Sequence, residues 1–132
     1  MGLDCSHGAF GGAYSAFNRL RQAVAKAAGG SYPAHEEGSG LDDRRWYVGD
    51  EYSKESFPGL WEFLGHSDCD GEIDPEMCKL VARDLSSLKD TLDKMGDGAG
   101  HIQRAGGYGG ALQKFIDGCN LAAESNEPLE FA

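Results

Sequence analysis

The chain has 132 residues, enough for one domain with a modest hydrophobic core. Its 22 acidic and 12 basic residues give a formal net charge of -10, which disfavours a protein that holds duplex nucleic acid by neutralising phosphates. No apolar run approaches the roughly 20 residues of a membrane-spanning helix, and the N-terminus lacks a secretory pattern, so we expect one cytoplasmic domain over 1–132 without a membrane contact.

The first predicted helix runs from about Gly12 to Ala28. Its apolar residues recur at intervals of three and four positions, the pattern of a helix with one buried face: Ala13, Ala16, Phe17, Leu20, Val24, Ala27 and Ala28. The polar residues between them are predicted to cover the outside: Asn18, Arg19, Arg21, Gln22 and Lys26. Two glycines at 29–30 end the helix.

Residues 30–57 are predicted to be irregular, with a possible short strand or hairpin near 45–53. A short helix follows within 56–65, because Pro58 suits a first helical turn and Gly65 suits a helix end. The next helix begins at Asp74, whose carboxylate can cap it, with Pro75 at the first helical position. Its narrow apolar seam serves either the core or an oligomer contact: Cys78, Val81, Leu85, Leu88, Leu92 and Met95.

Seven glycines in 96–110 predict that this stretch is not a regular element. The last helix follows it and ends near 126–128, with its inward side formed by Leu112, Phe115, Ile116, Cys119 and Ala123. The extended tail "PLEFA" is predicted to lie beside the N-terminal "GLDCS". These elements make a mostly α, small single domain of three main helices plus a short one, with marginal β in the extended ends and the possible hairpin near 45–53.

The stretch "HSDCDGEIDPE", 66–76, allows two interpretations. Its spacing matches part of a calcium-binding loop but lacks the first acid and the final bidentate Glu. His66, Asp68 and Asp70 offer one imidazole and two carboxylates, which could hold manganese, iron or zinc. Alternatively, the Asp residues make side-chain-to-backbone bonds in a tight turn, Gly71 supplies a positive φ and Asp74 caps the helix.

Two glycine-containing segments are candidate anion sites, since backbone amides before a helix can receive an anion. The first has His7 before the first helix, with Arg19 or Arg21 nearby, and the second has His101, Arg104 and Tyr108 in the glycine-rich stretch. Turns and connectors explain both segments equally well. The neighbours Ser6 and His7 include catalytic residue types, but side chains adjacent in sequence rarely meet in catalytic geometry.

Three strings together resemble a family of small proteins encoded by tailed bacteriophages and prophages and described only as hypothetical: "MGLDCSHGAFGGAYSAFNRLR", "LWEFLGHSDCDGEI" and "NEPLEF". The resemblance implies a host bacterial cytosol during infection. Small phage proteins of this kind often inhibit host factors or sequester the nucleotide signals of host immunity.

The leading hypothesis is therefore a phage accessory protein that acts by binding, without a complete catalytic constellation. Its partner is a host (defence) protein or a small anionic ligand such as a nucleotide signal, contacted by His7, Arg19, His101, Arg104 and Tyr108. One alternative is a metal-dependent hydrolase using the 66–76 loop, with Glu72 or His7 as proton carrier. Another is a phage structural component that oligomerises through the seam on 78–95.

Overall fold

The computed structural model describes residues 2–34 and 46–132, and helices make up most of both parts. The α-helices are α1 (Tyr14–Ala27), α2 (Pro58–Gly65), α3 (Pro75–Ser86), α4 (Lys89–Asp93), α5 (His101–Arg104) and α6 (Gly107–Glu124). This confirms the predicted mostly helical class with marginal β-structure. No helix in the described ranges combines the length and apolar character of a membrane span.

Two small antiparallel sheets form, the first between neighbouring segments and the second between distant ones. Strand β1 (Gly2–Asp4) pairs with β2 (Gly11–Ala13), and β3 (Glu72–Ile73) pairs with β4 (Leu129–Glu130). An isolated bridge joins Cys5 to Phe131. The C-terminal tail therefore lies beside the N-terminal segment, as the sequence predicts.

The core forms where α3 packs between α2 and α6. Four phenylalanines meet at its centre, with ring centroids 4.9–6.3 Å apart: Phe17, Phe63, Phe115 and Phe131. The apolar seam is internal, since Cys78, Val81, Leu85, Leu88 and Leu92 are buried and only Met95 is partly exposed. The predicted alternative, an oligomer contact through this seam, is therefore wrong, because the seam is covered by the protein's own helices.

The predicted single helix through Met95 is wrong in one respect, because α3 ends at Ser86 and α4 begins at Lys89. Two serine hydroxyls lie at the break. Ser86 Oγ donates to the carbonyl of Ala82 and Ser87 Oγ to that of Asp84, each at 2.6 Å. Serine side chains that bond to nearby carbonyls compete with the helical ladder and bend or end helices.

Helix α2 receives its cap from a different helix. The side chain of Asp84 on α3 is buried, and its Oδ2 accepts the backbone N–H groups of Gly59 at 2.7 Å and Leu60 at 3.1 Å. These are amides of the first turn of α2, which have no partner within the helix. The backbones meet closely here, since a Cβ on Gly59 would lie 2.2 Å from the carbonyl carbon of Leu80. Asp84 thus fixes α2, and the loop after it, onto α3.

The possible hairpin near 45–53 does not form in its described part, residues 46–53; residues 35–45 lie outside the described ranges. Tyr47 instead exchanges two 3.0 Å backbone hydrogen bonds with Ser31, and a single 3-10 turn covers Asp50–Tyr52. Gly30 makes this pairing possible, because a Cβ there would lie 1.8 Å from the carbonyl oxygen of Tyr47.

The glycine-rich stretch is more regular than predicted, since α5 lies within it and α6 begins at Gly107. The glycines permit close approach. A Cβ on Gly109 would lie 3.0 Å from the Cα of Asp93, and one on Gly110 would lie 2.2 Å from the carbonyl oxygen of Ala105. Here glycine allows dense packing, which offsets its low helix propensity.

Candidate functional site

A cavity of about 590 Å³ opens between α1 and the start of α6, and we call it the basic cavity. It brings together two of the predicted ligand-binding residues, Arg19 and Tyr108, with polar residues that were not predicted as ligands. The polar lining consists of Arg19, Gln22, Lys26, Ser31, Tyr32 and Tyr108. A cavity of this volume is within the usual range for small-molecule sites.

Helix α1 places three of these side chains on one face. Arg19, Gln22 and Lys26 follow one another at intervals of three and four residues, so they line one side of the cavity. Tyr108 of α6 also lines the cavity. The segment from Gly30 to Tyr32 completes the lining, and its backbone is held by the Ser31–Tyr47 bridge.

The charge of the basic cavity is opposite to that of the protein. Neither Arg19 nor Lys26 forms an ion pair with a carboxylate of the described residues, and no Asp or Glu from those residues lines the cavity. In a chain of net charge -10, this is a local positive patch. Two cations that face a cavity without a counter-charge attract an anion.

Arg21 supports this cavity from inside the core, although its sequence position predicted an exposed side chain. It is 1% exposed and lies over the ring of Phe17, 4.5 Å from the centroid. Its Nη1 donates to the Tyr32 hydroxyl at 3.0 Å and its Nη2 to the carbonyl of His66. Burial lowers the pKa of this guanidinium. The hydrogen bond and a second cation–π contact, 5.8 Å from the Tyr32 centroid, hold Tyr32 in the cavity wall.

The other predicted residues of the glycine-rich segment lie at a smaller cavity of about 230 Å³, formed with Phe10 and Lys114. Arg104 Nη2 donates to His101 Nδ1 at 3.1 Å. The His101 ring rests on Gly12, where a Cβ would lie 2.8 Å from the ring. This cavity is also basic, but it is smaller than the usual small-molecule site.

A third cavity, of about 400 Å³, lies beside α2 and is lined by both tryptophans, Trp46 and Trp61. The buried Trp46 Nε1–H has no hydrogen-bond partner among the described residues. Lys54 and Glu62 both line this cavity, so its charges are balanced. It therefore lacks the electrostatic preference of the basic cavity.

His7 lies at none of these cavities. Its Nδ1 is 2.9 Å from Ser6 Oγ, and its Nε2 is 2.8 Å from Glu127 Oε1. The adjacent Cys5 is buried, and burial, followed by the charge of Asp4, raises the pKa of its thiol to about 12. Cys5 therefore stays a neutral thiol near neutral pH, and it does not act as a thiolate beside His7.

The 66–76 loop has the geometry of a turn and a helix cap. Asp74 Oδ1 accepts the Met77 N–H at 2.8 Å, which confirms the predicted cap. Gly71 has a φ of 87°, as the turn interpretation requires. The hydroxyl of Ser67, and not the predicted Asp side chains, accepts the amides of 69 and 70, at 3.2 and 3.4 Å.

The predicted metal ligands His66, Asp68 and Asp70 do not form a ligand cluster. No group of three His, Cys, Asp or Glu residues in the described ranges could hold a metal ion. The ring nitrogens of His66 face the carbonyls of Ser67 at 2.8 Å and Glu72 at 3.0 Å. The His66 ring also stacks on that of Phe131, with 4.2 Å between the ring centroids. His66 therefore holds the 66–76 loop against the C-terminal tail.

Sequence reasoning missed Lys26, Tyr32, Lys114 and Glu127. The first had a local signal, because residues 19, 22 and 26 share a helix face. Tyr32 follows α1 and Lys114 lies on α6, and each reaches its cavity only through contacts between segments that are distant in sequence. Glu127 meets His7 across 120 positions of sequence, a contact for which the sequence offers no local signal.

The chain matches no protein-family model, and comparison with curated proteins and solved structures gives no significant match. The phage origin and the host-protein partner therefore stay predictions. Functional inference rests on the geometry of the described residues alone.

Proposed function

We propose that this protein binds a small anionic ligand of the nucleotide class in the basic cavity, without transforming it. One observation carries the proposal: Arg19 and Lys26 share a 590 Å³ cavity with no facing carboxylate from the described residues, in a strongly acidic chain. This is the small-ligand version of the sequestering role that the resemblance to small phage proteins implies.

The charges favour a phosphate-bearing ligand of limited size. Arg19 offers a planar donor fork that matches two phosphate oxygens, and Lys26 offers a second positive charge. The acidic remainder of the chain repels long polyanions, whereas a small ligand contacts only the cavity. The site therefore suits a mononucleotide or cyclic nucleotide better than a nucleic acid.

The aromatic residues favour a ligand with a flat ring. Tyr32 and Tyr108 line the same cavity as the two cations, so a ligand can place its phosphate and its base on different parts of one wall. Gln22 and Ser31 add hydrogen-bonding groups that can read the edge of a base. Aromatic walls with a few polar groups are usual in small-molecule sites.

The test is calorimetric titration of the purified protein with linear and cyclic mono- and dinucleotides. We expect Arg19→Gln and Lys26→Gln each to weaken binding about tenfold to a hundredfold, since each removes a charge-assisted hydrogen bond. Lys79→Gln is the matched control, because Lys79 is exposed on α3 and pairs with Glu76 away from the cavity. Chromatography of the released ligand should recover it unchanged.

Two results would refute the proposal. One is the absence of binding across the whole panel at millimolar concentration. The other is binding that Arg19→Gln and Lys79→Gln weaken equally, because general charge attraction would then explain it.

A further inference from the structure

We propose that Ser6 is a nucleophilic serine, activated by His7 and Glu127, which attacks activated acyl compounds such as esters and thioesters. The three side chains form a continuous hydrogen-bonded series. Ser6 Oγ lies 2.9 Å from His7 Nδ1, and His7 Nε2 lies 2.8 Å from Glu127 Oε1. Serine–histidine–carboxylate series are recognised by geometry and roles, whatever the order of the residues in the chain.

The hydrogen-bond partners fix the direction of each bond. The carboxylate of Glu127 can only accept, so in the neutral imidazole His7 Nε2 carries the proton and Nδ1 presents a lone pair. The backbone N–H of Glu130 donates to Ser6 Oγ at 2.8 Å. The hydroxyl proton of Ser6 is then directed to His7 Nδ1, which is the arrangement that a general base needs.

The backbone at His7 is held in an unusual conformation. Its φ of 59° and ψ of 19° lie in the left-handed region, which residues other than glycine rarely adopt. Gly8 follows with a φ of 71°. In this conformation the His7 ring contacts its own neighbour, Ser6, and the distant Glu127 at once. Such strained positions are concentrated at functional sites.

A purely structural clasp is the competing explanation, but the C-terminal tail is held without it. The N–H of Phe131 donates to the Gly71 carbonyl at 2.9 Å. Asp4 and Ala132 exchange two backbone hydrogen bonds, at 3.0 and 3.1 Å. The contact between His7 and Glu127 is therefore not needed to place the tail.

The expected reaction has two halves. In the first, Ser6 Oγ forms a bond to the acyl carbon, its proton moves to His7 Nδ1, and the leaving alcohol or thiol takes that proton as its bond to the carbon breaks. In the second, water attacks the seryl ester, gives its proton to His7, and Ser6 Oγ leaves with that proton. Glu127 orients the imidazole and stabilises its charged form.

The test is labelling with a fluorophosphonate probe, in which Ser6 Oγ would form a bond to phosphorus and fluoride would leave. Intact mass and peptide mapping should show one adduct, on Ser6. His7→Asn should slow labelling about a hundredfold, since it removes the base while Asn tolerates a positive φ. Glu127→Gln should slow it about tenfold, and this exposed change cannot disturb the core. Ser125→Ala, on the nearby surface, should leave the rate unchanged.

Three outcomes would overturn the inference: no adduct, adducts spread over several serines, or labelling of Ser6 at an unchanged rate in both His7→Asn and Glu127→Gln. Hydrolysis of p-nitrophenyl acetate by the same variants extends the test to acyl transfer, and it should fall in the same order. Arg19→Gln should not alter labelling, and Ser6→Ala should not alter nucleotide binding, so this inference and the proposed function fail independently.

Discussion

Replacing Asp84 with alanine tests whether one buried carboxylate secures α2 to α3. The substitution leaves two buried amides, those of Gly59 and Leu60, without an acceptor. Each unsatisfied amide costs about 1–3 kcal/mol, so together they cost about 4 kcal/mol. The contact from Arg83 Nε to Asp84 Oδ1 adds little, since the Arg83 side chain is 55% exposed. A domain of this kind has about 5–15 kcal/mol of stability, so Asp84→Ala should lose a large fraction of the total.

Urea denaturation measures this loss directly, followed by the fluorescence of the two tryptophans. The midpoint should fall strongly at an unchanged slope. Asp84→Asn should lose less, about 1–2 kcal/mol, because the amide oxygen still accepts hydrogen bonds from the backbone. Asp90→Ala is the matched control, an exposed aspartate on α4. If Asp84→Ala and Asp90→Ala destabilise the protein equally, the interhelical cap contributes nothing and the reasoning is wrong.

Three further predictions concern the cavity wall and the cysteines. Gly30→Ala should break the pairing with Tyr47. The free energy of ligand binding in the basic cavity should fall by more than the free energy of unfolding, and equal losses of these two free energies would contradict this. In the folded protein iodoacetamide should modify Cys69 alone, as counted by mass spectrometry, because the other three cysteines are buried. Burial raises the pKa of the Cys5 thiol from 9.0 to about 12, so the folded state keeps a proton that the unfolded chain loses. Stability should therefore fall as the pH rises from about 9 towards 12, and Cys5→Ala should reduce this fall in pH-dependent denaturation.

The sequence predicts elements whose signals are local. Asp74 and Pro75 indicate where α3 starts, and the spacing of apolar residues indicates which face of α1 is buried. The structure confirms both predictions. The break after Ser86 was missed, because a serine in a helical pattern does not show whether its hydroxyl bonds to the backbone or to water. The inward position of Arg21 was missed for a related reason. A charged residue that lies between the apolar positions of a helix is usually exposed. Arg21 can be buried because aromatic rings surround its guanidinium.

The sites could be predicted only in part, because they depend on contacts between distant segments. Arg19 and Tyr108, two of the five predicted ligand contacts, line one cavity, and their meeting depends on the packing of α1 and α6. The metal interpretation of 66–76 relied on residue types and spacing, which a turn with a capping Asp also satisfies. The Ser6–His7 pair was set aside, since adjacency rarely provides catalytic geometry, and the left-handed backbone at His7 is the exception that the sequence does not reveal.

The pairing of the two ends of the described chain has a consequence for the order of folding. Asp4 finds its backbone partner only at Ala132, and Ser6 receives its amide donor from Glu130. During synthesis, β1 can pair with β2 early, but these contacts with the C-terminal tail cannot form until residues 130–132 have left the ribosome, when α1 to α3 can already associate. Contacts this distant in sequence close slowly. The contacts that join Ser6 and His7 to residues 127–130 should thus be among the last to form.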